Sequence, residues 1–195
     1  MNNDPHHAGI CRATLVAQRG GWLANFNEDR GDILLGFVGG LLAHELGHIS
    51  AATLKGTDIQ LEGLAITYPD SDISDRDRLQ LASAGFLVQW FSSEIAFHYL
   101  QKDDASASAV NRAKGVIASH LAITAAYVTF LKHHPDGDIE GMAKASNVSH
   151  DRLALAVAIP AILDGWRLFR NRVPKWVPLI SPITKGAGIV WVWTY

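Results

Sequence analysis

Apolar residues in this chain gather in long runs separated by polar connectors. Residues 33–54 lie between Asp32 and Lys55 and include a single formally charged member, Glu45. At 1.5 Å rise per residue a helix of 22 residues covers about 33 Å, enough to cross the hydrocarbon core of a bilayer. Residues 79–101 carry one charge, Glu94, and residues 115–131 carry none. Residues 153–169 are apolar until Asp164 and Arg167, which predicts a short span; residues 176–195 are interrupted by Pro178, Pro182 and Lys185. A soluble helical bundle is the alternative, but soluble helices show a polar stripe every 3.6 residues and 33–54 lacks one. Gly36 and Gly40, continued by Ala43, Gly47, Ala51 and Ala52, predict a smooth face against which another helix packs closely.

The connectors carry their own signals. In residues 57–68, Ile59 and Leu61 alternate with polar neighbours, Glu62-Gly63 can turn, and Leu64, Ile66 and Tyr68 alternate again, which predicts a short β-hairpin. Pro69 and an Asp/Ser-rich run follow, in which Ser71 or Ser74 is placed to cap the next helix. Residues 102–114 and 133–152 read as solvated loops, the second with Pro135-Asp136-Gly137 as a turn and a short helix after it. The pattern predicts an all-α, polytopic helical membrane protein of four to five hydrophobic segments, with a short β-hairpin between the first two helices. Its divisions are a polar N-terminal segment (1–32), a membrane-embedded core (33–175) and an aromatic C-terminal segment (176–195), where Trp191, Trp193 and Tyr195 suit a lipid–water interface. The expected partner of such a surface is the lipid bilayer, and the expected location a multi-pass position in the cell inner membrane.

Composition sharpens this picture only in places. The 195 residues suit one core, and 17 Lys plus Arg against 19 Asp plus Glu leave a net charge of −2 without a basic run, so no nucleic-acid partner is expected. The single cysteine, Cys11, forms no intrachain disulfide. The first 32 residues are studded with charges and hold no apolar stretch of the kind a cleaved signal peptide needs. A mean hydropathy just above zero fits neither a soluble nor a membrane chain until it is resolved into apolar runs and charged loops.

The sharpest chemical feature is His44-Glu45-Leu46-Gly47-His48, inside the most apolar run. On a helix, positions i and i+4 share a face, so both imidazoles can hold one Zn²⁺ while Glu45 reaches a water on that ion. Two histidines and a glutamate at membrane depth are costly without a role. A catalytic zinc site needs a third protein ligand, for which Asp164, Glu94, His98 and His120 are candidates. Asp164 sits between Pro160 and Gly165, where a distorted helix can present it; Glu94 and His98 are i, i+4 partners on another helix. His6, His7, His133, His134 and His150 lie in polar stretches and read as surface residues.

These elements resemble those of the site-2 proteases, zinc metalloproteases that cut within the membrane. His44 to His48 matches the family's H-E-x-x-H; Ala84-Gly85-Phe86-Leu87-Val88-Gln89 resembles its A-G-P-x-x-N, with Phe86 for the proline and Gln89 for the asparagine; Leu163-Asp164-Gly165 matches its L-D-G. The resemblance implies zinc held by His44, His48 and Asp164, Glu45 as general base and then acid, and Gln89 as a substrate-positioning amide. It also implies that the hairpin, through Ile59 and Leu61, lies beside the site and holds an unwound stretch of a peptide or transmembrane protein substrate. Two rival readings stand beside it: a membrane zincin with Glu94 as third ligand acting on soluble peptides or other amides, and a non-catalytic zinc-binding membrane protein.

Overall fold

A computed structural model describes residues 30–62, 65–69, 72–170 and 172–195. Most of the polar N-terminal segment, with Cys11, His6 and His7, lies outside the described residues, as do Gly63, Leu64 and Ser71 of the connector. Among the described residues there are six α-helices: α1 (Arg30–Lys55), α2 (Asp75–Gln101), α3 (Ala107–Ala126), α4 (Asp138–Ser146), α5 (His150–Phe169) and α6 (Val177–Thr194). Between α1 and α2, strands β1 (Gln60–Glu62) and β2 (Ala65–Thr67) pair antiparallel, with Leu61 opposite Ile66. At its end α3 widens into a π-helical turn, Tyr127–Leu131.

Local chemistry sets the helix boundaries. Gly56, at φ 65°, takes the left-handed conformation that ends α1, and the N–H of Thr57 donates to the carbonyl of Ala52. Ser74 opens α2 by accepting from the N–H of Asp77 at 3.1 Å, with Asp75 and Asp77 at the positive end of the helix dipole. Ser106 does the same for α3 through the N–H of Ala109. Asn147, at φ 54°, closes α4 in the same left-handed conformation.

The central helix is α2, which touches every other helix. Leu79, Leu81 and Phe86 on it are almost fully buried, each worth about 1.5–3 kcal/mol of apolar transfer. Leu79 and Phe86 join Ile139, Met142, Leu153, Val157 and Val192 in one core; Phe97 packs with Ala113 and Ile117 in a second. The sequence-based expectation for 79–101, a span ranking second to 33–54, is revised by this position. The helix buries Gln80, Ser83, Gln89 and Ser93 as well as its apolar residues, and it belongs to the interior of the bundle. Among the described residues two helices, Arg30–Lys55 and Ala107–Leu131, are long and apolar enough to cross a membrane. Residues 153–169 and 176–195 form helices, with Pro160 and Pro182 inside them, that do not reach that measure.

The closest packing joins α1 to α3. A Cβ on Gly36 would collide with the carbonyl of Arg112, one on Gly40 with the Ser119 hydroxyl, and one on Gly115 with the carbonyl of Ile33. The small residues foreseen on α1 therefore let two backbones touch. Because residues 36 and 40 meet 112 and 119 in ascending order, α1 and α3 run parallel. Outward from this seam, α1 exposes Leu34, Leu35, Leu42 and Leu46, α5 exposes Leu155 and Ile162, and α6 exposes Leu179 and Ile183.

Candidate metal centre

His44 and His48 stack one helical turn apart on the buried face of α1, with their Nε2 atoms 3.3 Å from each other. The carboxylate brought to them belongs to Asp138, the first residue of α4: Oδ2 lies 3.0 Å from His44 Nε2 and Oδ1 3.3 Å from His48 Nε2. The chain reaches this point through the π-turn and two tight turns, in which His134 N–H donates to the Leu131 carbonyl and Gly137 N–H to the His134 carbonyl. Gly85 makes room from the opposite side. A Cβ there would stand 2.5 Å from the Nε2 atoms of both histidines, so α2 approaches this closely only with glycine at that position.

These three side chains form a group that could hold a metal ion. Zinc bonds its nitrogen and oxygen ligands at about 2.0–2.2 Å, which places ligand atoms of a tetrahedron about 3.3–3.5 Å apart. The separations of 3.0–3.3 Å are close to that edge. Asp138 Oδ2 is buried without a hydrogen bond although His44 Nε2 is near, as expected of an atom whose partner is an ion. The carbonyl of Leu81 accepts from His48 Nδ1 at 2.9 Å, which puts the proton on Nδ1 and leaves the Nε2 lone pair facing Asp138. Tyr68, just past β2, places its hydroxyl 3.3 Å from the same Nδ1 and donates to the same carbonyl.

The electrostatics agree with the geometry. Burial by itself would raise the Asp138 carboxyl, but the positive charge and hydrogen bonds that the adjacent His48 and His44 imidazoles bring when protonated outweigh it and hold the acid well below the usual carboxylate range; with neutral imidazoles a bound cation would supply that charge instead. The Tyr68 phenol is pushed up, first by burial and then by the charges of Asp138 and Glu45, and stays a donor. Glu45 lines a cavity of about 520 Å³ together with His44, His48, Asp138, Ile66 and Tyr127. The cavity therefore joins an acid that binds no metal to the three side chains that can.

Asp164, expected as the third ligand, does not join this group. It is fully buried, but its oxygens are taken by Lys185 Nζ (2.7 Å), Ser181 Oγ (2.7 Å) and Arg167 Nη1 (3.3 Å). Glu94, the alternative, belongs to the same cluster, bound by both Arg167 amino groups at 2.6 and 3.2 Å and by Lys185 at 2.5 Å. Arg167 in turn stacks on the Phe97 ring. The oxygens of both acids are therefore already met by donors of Lys185, Arg167 and Ser181. His120 is buried with Nε2 3.7 Å from Asp164 Oδ2, and His98 is exposed.

Gln89 is buried one turn after Gly85, with both amide atoms lacking a hydrogen-bond partner. Ile59 and Leu61 are exposed and do not line the cavity; from this connector it is Ile66 on β2 that does. Of the surface histidines, His150 pairs with Glu140 at 2.6 Å and His134 stands at the cavity rim. Asp138 was missed because the only local sign of it is an acid opening a short helix after a Pro-Asp-Gly turn, which equally describes a cap. No family model, curated protein or solved structure matches the chain.

Proposed function

We propose that this chain is a membrane-embedded zinc metallopeptidase in which His44, His48 and Asp138 hold the ion and Glu45 is the general base. The observation that carries the reading is the convergence of the two H-E-x-x-H histidines with one carboxylate, on a cavity that Glu45 also lines. Zinc, when bound, makes a water acidic enough to lose its proton near neutral pH and polarises a carbonyl. Glu45 takes the proton of the attacking water and returns it to the nitrogen of the scissile bond as that bond breaks. Leu81 and Tyr68 keep the His48 ring in its metal-binding orientation.

The likeness to site-2 proteases is reduced to two of its three elements, because the L-D-G aspartate is replaced as ligand by Asp138. The reaction class stands on the site itself. The outward apolar faces of α1, α5 and α6 support a setting in lipid, where α1 and α3 cross and a peptide or a transmembrane protein segment reaches the cavity.

Purified in detergent, the protein is expected to carry one zinc per chain and to cleave a synthetic peptide that has the sequence of a transmembrane segment. Glu45→Gln is expected to keep the zinc and to lose cleavage by about 10²-fold or more. Full cleavage by that variant would sink the proposal; bound zinc with no Glu45-dependent turnover in the wild type would favour a structural or sensing site.

A further inference from the structure

We propose that Tyr127 is a further catalytic residue, whose phenol donates a hydrogen bond to the substrate carbonyl oxygen as that oxygen gains charge. The inference rests on the hydrolytic reading above and assigns a role which that reading leaves unfilled. Tyr127 opens the π-turn at the end of α3, an irregularity that re-aims the side chains following it, and it lines the same cavity as His44, Glu45 and Asp138. Its ring is held between Phe86, edge-on at 5.1 Å, and His44 at 6.3 Å between centroids, so the hydroxyl has a defined position. That hydroxyl accepts from the N–H of Asp138 at 3.5 Å and also lies within hydrogen-bonding reach of the Asp138 carboxylate, which its proton serves until an ion engages that carboxylate.

Most of the other polar side chains lining the cavity are committed elsewhere. Glu45 and Asp138, when ionised, can only accept, and the two histidines turn Nε2 toward the metal position. Tyr68 donates to the Leu81 carbonyl. His134 stands exposed at the rim, its Nδ1 accepting from Asp136 N–H. His134 offers its Nε2 proton only from the exposed rim, and Tyr127 is the half-buried hydroxyl donor among the side chains lining the cavity. In the step it serves, the oxygen of water bonds to the carbonyl carbon, the carbonyl π pair moves onto the carbonyl oxygen, and the water proton passes to Glu45. Tyr127 donates a hydrogen bond throughout and keeps its proton. The carbon–nitrogen bond then breaks as Glu45 protonates the nitrogen.

The test compares wild type, Tyr127→Phe and Tyr127→His, each loaded with zinc. Readouts are zinc affinity, thermal unfolding, binding of a phosphinic peptide as a tetrahedral anionic probe, and kcat and KM for peptide cleavage. Tyr127→Phe is expected to keep zinc and fold, to lose about 10²-fold in kcat with KM little changed, and to bind the phosphinic peptide about tenfold more weakly or worse. Tyr127→His, which restores a donor, is expected to recover part of both losses. Unchanged kcat and probe binding in Tyr127→Phe would overturn the inference. So would a parallel loss of zinc or of folding, which would place the hydroxyl in support of Asp138. A wild type that binds zinc and the probe in a Tyr127-dependent way but cleaves nothing would remove the peptidase reading and leave the donor standing. A zinc-loaded wild type that ignores the probe would remove the donor.

Discussion

Two aspartates, Asp164 fully buried and Asp138 half-buried at the cavity, divide the acidic chemistry of this bundle between them. Asp138 meets two imidazoles, and Asp164 meets a lysine, an arginine and a serine. Both have histidine within ion-pair distance, yet they are suited to opposite tasks. An imidazole in its neutral form offers a lone pair and no charge, so the negative charge of Asp138 is unbalanced unless a proton or a metal ion arrives. Lys185, Ser181 and Arg167 already fill the Asp164 oxygens with donors of this chain, so the cluster is complete and acts as a clamp between α2, α5 and α6. Burial of an acid therefore says little about its role; the groups that its oxygens meet decide it.

The largest effects should come from removing each aspartate in turn. Asp138→Asn is expected to lower zinc affinity by about 10³-fold or more while costing the metal-free fold less than Asp164→Asn does. Asp164→Asn is expected to keep the metal and to destabilise the fold by about 3–5 kcal/mol, because Lys185 stays buried with one partner fewer. Metal analysis and chemical denaturation of the two variants test the contrast, and the opposite pattern would restore Asp164 as the ligand. A smaller effect is expected of Gly85→Ala, whose methyl group must displace both imidazoles: a loss of about 10–100-fold in zinc affinity together with about 1–3 kcal/mol of overpacking. Tyr68→Phe should cost about tenfold in zinc affinity and little stability, since the Leu81 carbonyl still holds His48.

The smallest effect concerns a third acid, in water. Asp77 pairs with Lys55 across the α1–α2 junction, and its carboxyl is lowered by that lysine and by Ser74. A folded-state value below the unfolded one means that the pair contributes fully above the unfolded carboxylate range and loses its contribution as pH falls through the folded value. At neutral pH Asp77→Asn should therefore cost less than about 1 kcal/mol, and in an acid denaturation series the difference from wild type should vanish once pH has fallen through the lowered folded-state value.

Legibility of the sequence followed the range of the interactions. The histidine pair was readable because its geometry is one turn of one helix, and the Gly36–Gly40 face because small residues at that spacing have few other uses. The third ligand required knowing which of several acids a connector folds back onto α1. Leu163-Asp164-Gly165 gave a reason to choose Asp164, but its carboxylate is taken by Lys185, 21 residues further on, in a segment that reads as a tail. The expectation of a span at residues 79–101 is not confirmed, for a related reason. Counting charges treats that segment as apolar, whereas the uncharged Gln80, Ser83, Gln89 and Ser93 suit a helix enclosed by protein. Residues 107–114 lengthen α3 into a candidate span despite Arg112 and Lys114.

The parallel course of α1 and α3 has a consequence for sidedness. If both helices cross a bilayer, they cross it in the same direction, so Arg30 and Ala107 emerge on one side while Lys55 and the 132–137 loop emerge on the other. His44 and Asp138 belong to the second half of that path, near the strands. A water-soluble chelator or inhibitor would then act on sealed vesicles from one face alone, and the compartment it acts from would be the one that supplies the water for hydrolysis.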